Sequence, residues 1–248
     1  MASAASGGRF LPIGELPVTT KPMKWPFCVL FALAVIENTK AGETLFQDDF
    51  AGKLGEGWTW RREHREAWRV TDHALEVRIE PGNMWGPAND AKNVLLRPAP
   101  GASSEEIEIS VTIETHPTTQ YEQADLTWYY DDGHMVKIGR ELVDGQVSVV
   151  MGREEADKTR TIKIVPIKSE SVRLKLIVKG KQVRGEFQTP DSGKWQRVGE
   201  CDVPSVVSIK PSISLQFYQG PADAEHWARV TSFRIQTAGG RGPDIEAK

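Results

Sequence analysis

Apolar and polar residues alternate along much of this chain, and this pattern constrains its fold more than any other feature. The alternation is clearest over residues 107–114, 172–179 and 213–218. Because successive side chains of a β-strand point to opposite faces of the sheet, each such segment is expected to form a half-buried strand. No convincing pattern of an amphipathic helix follows Thr44. Roughly a dozen short strands separated by turn signals therefore predict one all-β domain, an antiparallel two-sheet sandwich or barrel.

The apolar positions of these strands define the expected core. They point to one side of each strand, and a sandwich buries that side between its two sheets. The residues expected in the core are Leu126, Trp128, Ile138, Val149, Leu174, Leu176, Leu215 and Phe217.

Residues 121–153 are expected to form three consecutive antiparallel strands with turns at Asp132-Gly133 and Asp144-Gly145. One face of this sheet is apolar, and the other carries amides, charges and an aromatic ring. A polar sheet face of this composition is how β-sandwich proteins often present a binding surface. The polar residues are Gln123, Asp125, Thr127, Tyr129, Lys137 and Glu141.

The first hairpin has two possible registers. A two-residue turn at Asp132-Gly133 would place Leu126 opposite Gly139 and put the apolar sets out of phase. A three-residue loop ending at His134, with positive φ at or next to Gly133, pairs Trp128 with Ile138 instead.

The three-residue loop also sets Asp125 opposite Glu141 and Tyr129 opposite Lys137. Two carboxylates about 5 Å apart at Cβ repel each other unless something compensates. A shared proton, a cation such as Lys137, a bound metal or a substrate could compensate. The other possibility is a different register, or neutralisation by neighbouring Arg and Lys side chains in a purely structural role.

Composition and motifs exclude several functions. The formal charge of −3 gives no indication of a nucleic acid partner or an anionic membrane. No Gly-x-Ser-x-Gly elbow, phosphate-binding loop or His-Glu-x-x-His zinc motif is present, and the five His have no metal-ligand spacing. We therefore expect no cofactor and no metal. The sequence leaves the oligomeric state open.

Residues 23–41 resemble an export signal. Met23-Lys24 provides a basic start, the apolar run from Phe27 to Ile36 follows, and small residues precede a cleavage site after Ala41. The run is too short to span a membrane, so we expect a secreted or periplasmic protein with no membrane insertion after cleavage. Either Met1 or Met23 could start the chain. A single sandwich over residues 42–238 and a disordered tail over residues 239–248 complete the predicted organisation.

Only Cys201 lies outside this leader, since Cys28 is part of it. The mature protein is therefore expected to fold without an internal disulfide.

Three loops stand out. Residues 81–92 are rich in turn formers yet carry Met84 and Trp85, and residues 219–227 end in His226-Trp227. An aromatic ring in such a loop either serves a ligand or packs over the edge of the core. Residues 153–160 are charged and are expected to be solvated.

Several motifs resemble the domain-of-unknown-function family 1349, whose members often read YxQAGL, DD, WVKAGLE, DG and SVVVT. The matching positions here are Tyr121-Glu122-Gln123-Ala124, Asp131-Asp132, Val136-Lys137-Ile138-Gly139 with Glu141, Asp144-Gly145 and Ser148-Val149-Val150. The resemblance covers about residues 45–236. Asp125 stands where many members have Gly, and Met135 where many have an aromatic residue.

That family is similar to concanavalin A-like jelly-roll sandwiches. Its members occur alone, as a yeast protein linked to enolase regulation, and as the C-terminal domain of some family-43 β-xylosidases. The resemblance therefore implies a jelly-roll fold and a carbohydrate context.

Three functions fit these observations. The favoured one is a non-catalytic sugar-binding sandwich, with rings for stacking and polar side chains for the sugar hydroxyls. The alternative is a glycoside-active hydrolase or lyase using Asp125 and Glu141, with Lys137 or His226 assisting. A structural cell-envelope domain without a small ligand is the third. The expected ligand-binding residues are Trp85, Asn89, Gln123, Asp125, Tyr129, Lys137, Glu141, Gln216, Tyr218, His226 and Trp227.

Overall fold

The computed structural model describes residues 42–101 and 106–239. The predicted leader at residues 23–41, and the predicted tail apart from Gly239, lie outside the described residues and stay predictions. Within the described ranges the regular secondary structure is β-strand, apart from one 3-10 turn at Arg65–Ala67. None of the helices in these ranges has the length and apolar character needed to cross a membrane.

Fifteen strands follow one another in the described ranges. In chain order they are β1 (Thr44–Asp48), β2 (Thr59–Arg61), β3 (Trp68–Thr71), β4 (Ala74–Arg78), β5 (Val94–Pro98), β6 (Ile107–Glu114), β7 (Gln123–Asp131), β8 (His134–Val143), β9 (Gln146–Glu155), β10 (Lys158–Pro166), β11 (Ser171–Lys179), β12 (Gln182–Gln188), β13 (Gln196–Asp202), β14 (Ser212–Tyr218) and β15 (Trp227–Thr237).

The strands form two antiparallel sheets that pack face to face. Sheet A has the order β13-β12-β11-β6-β15-β4-β3, and β1 also pairs with β15. Sheet B has the order β10-β9-β8-β7-β14-β5-β2. Neighbours such as β6 and β15, or β7 and β14, are far apart in sequence, so the sandwich is closed by long-range pairing. The predicted all-β two-sheet sandwich is confirmed.

The core lies between the sheets, where the alternation places it. All eight residues expected there are buried, from Leu126 and Trp128 on β7 to Leu215 and Phe217 on β14. Burial of apolar surface contributes about 25 cal/mol per Å² to folding, so this layer is the main stabilising element of the sandwich.

The predicted register of the β7–β8 hairpin is wrong. Leu126, not Trp128, pairs with Ile138, and Asp131 pairs with His134 across a two-residue turn. The register shifts between Tyr129 and Asp131, which leaves Tyr130 as the extra residue of a β-bulge. A two-residue turn alone would place the apolar residues of β7 opposite the polar positions of β8. The bulge shifts the pairing by one residue, so that the apolar residues of both strands face the core. Gly133 does not have the positive φ that the longer loop requires.

The true register differs from the predicted one by two residues. Because side chains alternate with a period of two, a two-residue shift changes the partners and leaves every side chain on its predicted face. The second turn is the expected one: Asp144 (φ 50°) and Gly145 (φ 76°) both have positive φ, as a tight hairpin turn requires.

Residues 156–160 are exposed, as the charge of the segment 153–160 predicts, and Glu154 is the exception. The segment ends β9 and begins β10, and Arg153 pairs with Arg160 across that hairpin. Glu154 is buried, because the alternation of β9 directs its side chain toward the loop of residues 81–92.

Candidate functional site

The polar face of sheet B, which the sequence predicts as a binding surface, is closed off from solvent. The loop of residues 81–92, called the cover loop from here on, folds back over this face. Met84 on the cover loop is fully buried and packs in a second apolar cluster with Tyr129, Met135 and Tyr218. The face is therefore a mixed layer, with apolar contacts at one end and charged groups at the other.

Local hydrogen bonds set the shape of the cover loop. The Asn83 side chain accepts from the Trp85 backbone N–H (3.0 Å) and donates to the Trp85 carbonyl (2.9 Å). Asp90 accepts from the Asn83 N–H at 2.8 Å. Such side-chain-to-backbone bonds replace the ladder bonds that an irregular segment lacks.

Two further bonds tie the cover loop to the sandwich. The Gly86 N–H donates to the Glu154 carboxylate at 3.1 Å from Oε1, and Arg62 Nε donates to the Ala91 carbonyl at 2.6 Å. The loop thus contacts strand β9 and the end of β2.

Trp85 lies directly over sheet B. Its six-membered ring occupies the space where a Cβ of residue 152 would be, so the glycine at that position on β9 allows this contact. The Lys137 ammonium is 4.8 Å from the centroid of the Trp85 ring and 5.6 Å from that of Tyr218. Aromatic rings at these distances stabilise a cation through their π-faces.

Lys137 joins the two acidic residues of this face. Its Nζ is 3.5 Å from Asp125 Oδ2 and 3.3 Å from Glu141 Oε2, and it also donates to the Gln123 side-chain carbonyl. The exposed fractions of the three charged side chains are 2%, 0% and 9%. Lys137 is thus the cation that offsets the repulsion between the Asp125 and Glu141 carboxylates.

The two carboxylates share a face but are not opposite each other. Glu141 pairs with Gln123, and Asp125 pairs with Gly139, where the missing Cβ leaves room for the Asp125 carboxylate. The carboxylates are diagonal neighbours on β7 and β8 with the ammonium between them, which removes the repulsion expected for a directly opposed pair.

Burial and charge shift the pKa values here. Burial raises the pKa of Asp125 to about 6, although Lys137 opposes the shift. Burial would lower the pKa of Lys137, but Asp125 and Glu141 outweigh it and hold that pKa above its usual value. Burial also raises the pKa of Glu154 to about 7, against the effect of the Gly86 N–H bond. The face therefore contains two carboxyl groups that titrate near neutrality.

Several polar atoms of this face are buried without a hydrogen-bond partner among the described residues. They come from paired positions on β7 and β14, since Asp125 is opposite Gln216 and Thr127 is opposite Ser214. All four side chains are fully buried. The atoms without a hydrogen bond are both carboxylate oxygens of Asp125, the hydroxyls of Thr127 and Ser214, and Gln216 Oε1; of these, Asp125 Oδ2 is still in ion-pair contact with Lys137.

A buried polar atom that loses its hydrogen bond to water costs about 1–3 kcal/mol. Five such atoms lie on adjacent residues. A ligand with several hydroxyl groups, or ordered water molecules, would supply the hydrogen bonds that these atoms lack.

The structure gathers seven of the eleven expected residues in this region: Trp85, Gln123, Asp125, Lys137, Glu141, Gln216 and Tyr218.

Two of the other expected residues lie at its margin. Tyr129 packs in the apolar cluster and donates its hydroxyl proton to Asp132 at 2.7 Å, and Asn89 Nδ2 donates to Asp157 at 3.2 Å.

The remaining two lie elsewhere. His226 Nδ1 is 2.8 Å from the buried carboxylate of Glu122, and Trp227 is on strand β15 of sheet A, where Arg69 stacks on it at 4.4 Å. The alternation of residues within a loop does not define a face, so the sequence could not assign these two side chains to a sheet.

Three residues of the region were not among the expected ligand-binding residues: Thr127, which the sequence had already placed on the polar face, Ser214 and Glu154. The first two occupy outward positions of strands that the sequence had already oriented. Ser148, Gly152 and Glu154 lie at even spacing on β9, so their side-chain positions face outward together. This alternation could have placed Glu154 on the polar face from the sequence. Within the described ranges, no group of three or more His, Cys, Asp and Glu side chains could hold a metal ion.

The fold and the covered polar face define a concanavalin A-like β-sandwich. A family model described as the β-xylosidase C-terminal concanavalin A-like domain matches residues 47–217, more than half of the chain. The chain belongs to this family. A comparison with curated proteins gave no match.

Solved structures show the same fold. The GH43 protein BlXynB of Bacillus licheniformis is similar at 16% identity with a TM-score of 0.67, over 77% of this chain and 39% of that chain. A xylan β-1,4-xylosidase of Bacillus halodurans is similar at 18% identity and a TM-score of 0.66, over 77% and 38%. This chain thus spans about two fifths of the length of the first structures it matches.

A functionally unknown protein of Saccharomyces cerevisiae is similar over nearly its whole length. It has 13% identity and a TM-score of 0.58, and the match covers 74% of this chain and 98% of that one. At such identities the likeness shows the fold alone.

Proposed function

We propose that this protein is a secreted, non-catalytic carbohydrate-binding sandwich that holds a sugar on the polar face of sheet B. The observation that carries the proposal is the group of buried polar atoms without a hydrogen bond on Thr127, Ser214 and Gln216, beside the Asp125 carboxylate that Lys137 contacts as an ion pair. Sugar hydroxyls are donors as well as acceptors, so a single ring could satisfy the Asp125 carboxylate, the Gln216 carbonyl and both hydroxyls. The rings of Trp85 and Tyr218 supply the apolar surface against which a pyranose face packs.

The family adds support from a separate direction. Its model is described as a domain of β-xylosidases, and one similar solved protein is a xylan β-1,4-xylosidase. The motif resemblance to the domain-of-unknown-function family 1349 is part of the same proposal. The sugars of first choice for a test are therefore xylo-oligosaccharides.

A sugar would reach these residues only after the cover loop moves. Asp125 and Gln216 have no exposed surface, and Trp85 stands over the adjacent Lys137. The loop is held by the Gly86–Glu154 and Arg62–Ala91 bonds, each of which contributes about 1 kcal/mol. Opening also exposes the fully buried Met84 side chain, whose burial contributes about 1.5–3 kcal/mol more, and sugar binding has to offset the whole cost.

Titration calorimetry of the mature protein with xylo-oligosaccharides tests the proposal. Replacing Asp125 with Ala should weaken binding by about 1–3 kcal/mol, because the sugar loses a charged acceptor. Lys179→Ala, at an exposed position of sheet A, is the matched control and should bind like the wild type. A glycan array on which no sugar binds the wild type would refute the proposal.

A glycoside-active enzyme is the second candidate, and the raised pKa of Asp125 is the observation that favours it. The Asp125 and Glu141 carboxylates both contact the Lys137 ammonium. A retaining pair must instead present one nucleophile and one proton donor to the substrate, so this ion pairing counts against the enzyme. His226 bonds Glu122 and does not reach this pair. Product analysis after incubation with xylan distinguishes the two functions: release of sugars that Asp125→Asn abolishes would establish the enzyme.

Export rests on residues 23–41. N-terminal sequencing of protein recovered outside the cytoplasm should find Gly42 or a near neighbour, and retention of Lys24 in that form would contradict export by signal cleavage.

A further inference from the structure

The outer face of sheet A carries two arginines, Arg173 on β11 and Arg234 on β15. They flank the central strand β6 from opposite sides, because Arg173 is opposite Thr112 and Arg234 is opposite Ser110. A register shift between Thr231 and Arg234 marks a β-bulge just before the second arginine. The pairing thus brings two guanidinium groups toward the same pair of hydroxyl-bearing residues.

Neither guanidinium forms an ion pair with a carboxylate of residues 42–101 or 106–239. Arg173 Nη2 donates to Ser110 Oγ at 3.4 Å, and Arg234 Nη2 donates to Gln47 Oε1 at 3.0 Å. The Nε of Arg173 is buried without a partner. Other arginines of sheet A have an acidic partner: Arg69 and Arg229 contact Glu76, and Arg197 contacts Glu200.

Open space lies beside these two side chains. A cleft of about 330 Å³ is bordered by Arg173, Arg234, Thr112 and Ser232, with the exposed carboxylate of Asp49 also on its wall. A second cleft of about 270 Å³ shares Arg173 and Thr112 with the first and extends toward Gln188. The two clefts therefore adjoin at Arg173.

An aromatic ring borders the same area. Trp195 is half-buried, with the Arg173 guanidinium 5.4 Å and the Lys175 ammonium 4.2 Å from its centroid. The charge of Lys175 is balanced by Glu186 at 2.9 Å and by Glu108 at 3.8 Å. Arg173 therefore lies next to an aromatic surface, while the carboxylates of Glu186 and Glu108 are engaged by Lys175.

We infer that Arg173 and Arg234 form a second binding site, on the outer face of sheet A, for an acidic saccharide whose carboxylate or sulfate group bridges the two guanidiniums. Arginine binds planar oxyanions through two parallel N–H bonds, and the free Nε of Arg173 is one such donor. Thr112 supplies a hydroxyl next to the anion, and Trp195 a surface for the sugar ring.

The electrostatics of the pair agree with this assignment. Burial, and then the charge of Arg234, lower the pKa of Arg173, while Glu108 opposes this to a smaller extent. A bound anion would relieve the repulsion between the two cations. The binding of an oxyanion is inferred from the two arginines alone. That the oxyanion belongs to a saccharide rests on the proposed function.

The first experiment tests the oxyanion site without any sugar. Sodium sulfate is titrated into the full chain at constant ionic strength while the arginine Nε–Hε resonances are followed by NMR. The Arg173 and Arg234 resonances should shift and saturate together, and Arg234→Gln should weaken the Arg173 response at least fivefold. Shifts of the same size at Arg197, or no saturation at either arginine, would overturn the site.

The second experiment tests the saccharide. Binding of an oligogalacturonate is compared with binding of the same oligomer after reduction of its carboxyl groups. We expect the acidic form to bind at least tenfold more tightly, and Arg173→Gln and Arg234→Gln each to reduce its affinity fivefold or more. Arg197→Gln, which removes an exposed paired arginine, is the control for general charge effects. Equal affinities for the two oligomers would refute an acidic-saccharide site.

Two variants keep these results interpretable. Arg173→Lys retains the positive charge but not the forked donors, so it should also lose most of the affinity while it unfolds like the wild type. Asp125→Ala should leave the oligogalacturonate affinity unchanged. If the wild type binds sulfate at the two arginines but binds no xylo-oligosaccharide, the proposed function is refuted and this oxyanion site is kept.

Discussion

The outer faces of the two sheets are built from the same alternation and end in opposite environments. On sheet B, the cover loop buries Asp125, Thr127 and Gln216 completely. On sheet A, Arg69 and Lys179 remain open to water at 55% and 70% exposure, although the Lys175–Glu186 ion pair is buried. The alternation decides on which side of a strand a residue lies, but a loop elsewhere in the chain decides whether that side contacts solvent.

The same difference changes what a charge contributes. Exposed ion pairs such as Arg69–Glu76 contribute about 0–1 kcal/mol, because water already solvates both groups. The Lys137 group has lost this solvation, so each of its charges depends on the others. Substitution of the exposed charges on sheet A is therefore expected to cost less stability than substitution within the buried Lys137 group of sheet B.

The largest expected effect comes from Lys137→Met. The variant leaves the Asp125 and Glu141 carboxylates buried without their cation, and we expect a loss of about 3–5 kcal/mol in the free energy of unfolding. Urea denaturation measures this loss. The matched Lys179→Met variant on sheet A should change stability by less than about 0.5 kcal/mol. Equal losses in the two variants would show that the cover loop does not exclude water from the polar face.

A smaller effect is expected from pH. The folded pKa of Asp125, about 6, lies above the ordinary value of 3.8, so the folded protein binds this proton more tightly than the unfolded chain does. Its contribution to stability is fully present below pH 3.8 and is lost as the pH rises through about 6.

Unfolding of the wild type and of Asp125→Asn, measured from pH 4 to pH 7, tests this sign. The stability of the wild type relative to the variant should fall by on the order of 1–3 kcal/mol over this range. Asp132 is the control with the opposite sign: Arg62, Tyr129 and Arg61 outweigh burial and lower its pKa, so its contribution is lost only at acid pH. A difference between wild type and Asp125→Asn that does not vary with pH would contradict the buried state of Asp125.

The smallest expected effect is from Thr127→Val. The Thr127 hydroxyl is buried without a partner, so removing it from a side chain of the same shape should stabilise the protein by about 1 kcal/mol. Thr112→Val on the open face of sheet A should change stability by less than about 0.5 kcal/mol. Thermal unfolding followed by circular dichroism is sufficient for both. Destabilisation by Thr127→Val would mean that the hydroxyl is already hydrogen-bonded.

The β7–β8 hairpin shows how far local sequence reasoning extends. The faces of Trp128 and Ile138 were predicted correctly, because hydrophobic alternation determines faces directly. Their pairing was wrong, since a bulge at Tyr130 can shift partners by one residue without any marker in the local composition. A sequence can thus predict that Asp125 and Glu141 share a face without predicting the distance between them.

The candidate site shows a second limit of prediction from local sequence, namely which strands lie next to each other. Gln216 and Tyr218 were oriented correctly on β14, but their strand is adjacent to β7 only through a pairing of residues about ninety positions apart. His226 and Trp227 were assigned to the site because they are polar and aromatic, and both lie elsewhere.

The sequence by itself determined the all-β class, the two-sheet sandwich and the division of each strand into a core side and an outer side. These follow from periodicity, which is a local property of the chain. Only the tertiary structure decided that one outer face is closed by the cover loop, that Lys137 stands between the two carboxylates, and that Arg173 and Arg234 meet across β6. These depend on the pairing of distant strands and the path of a loop, which long-range packing sets and no local pattern encodes.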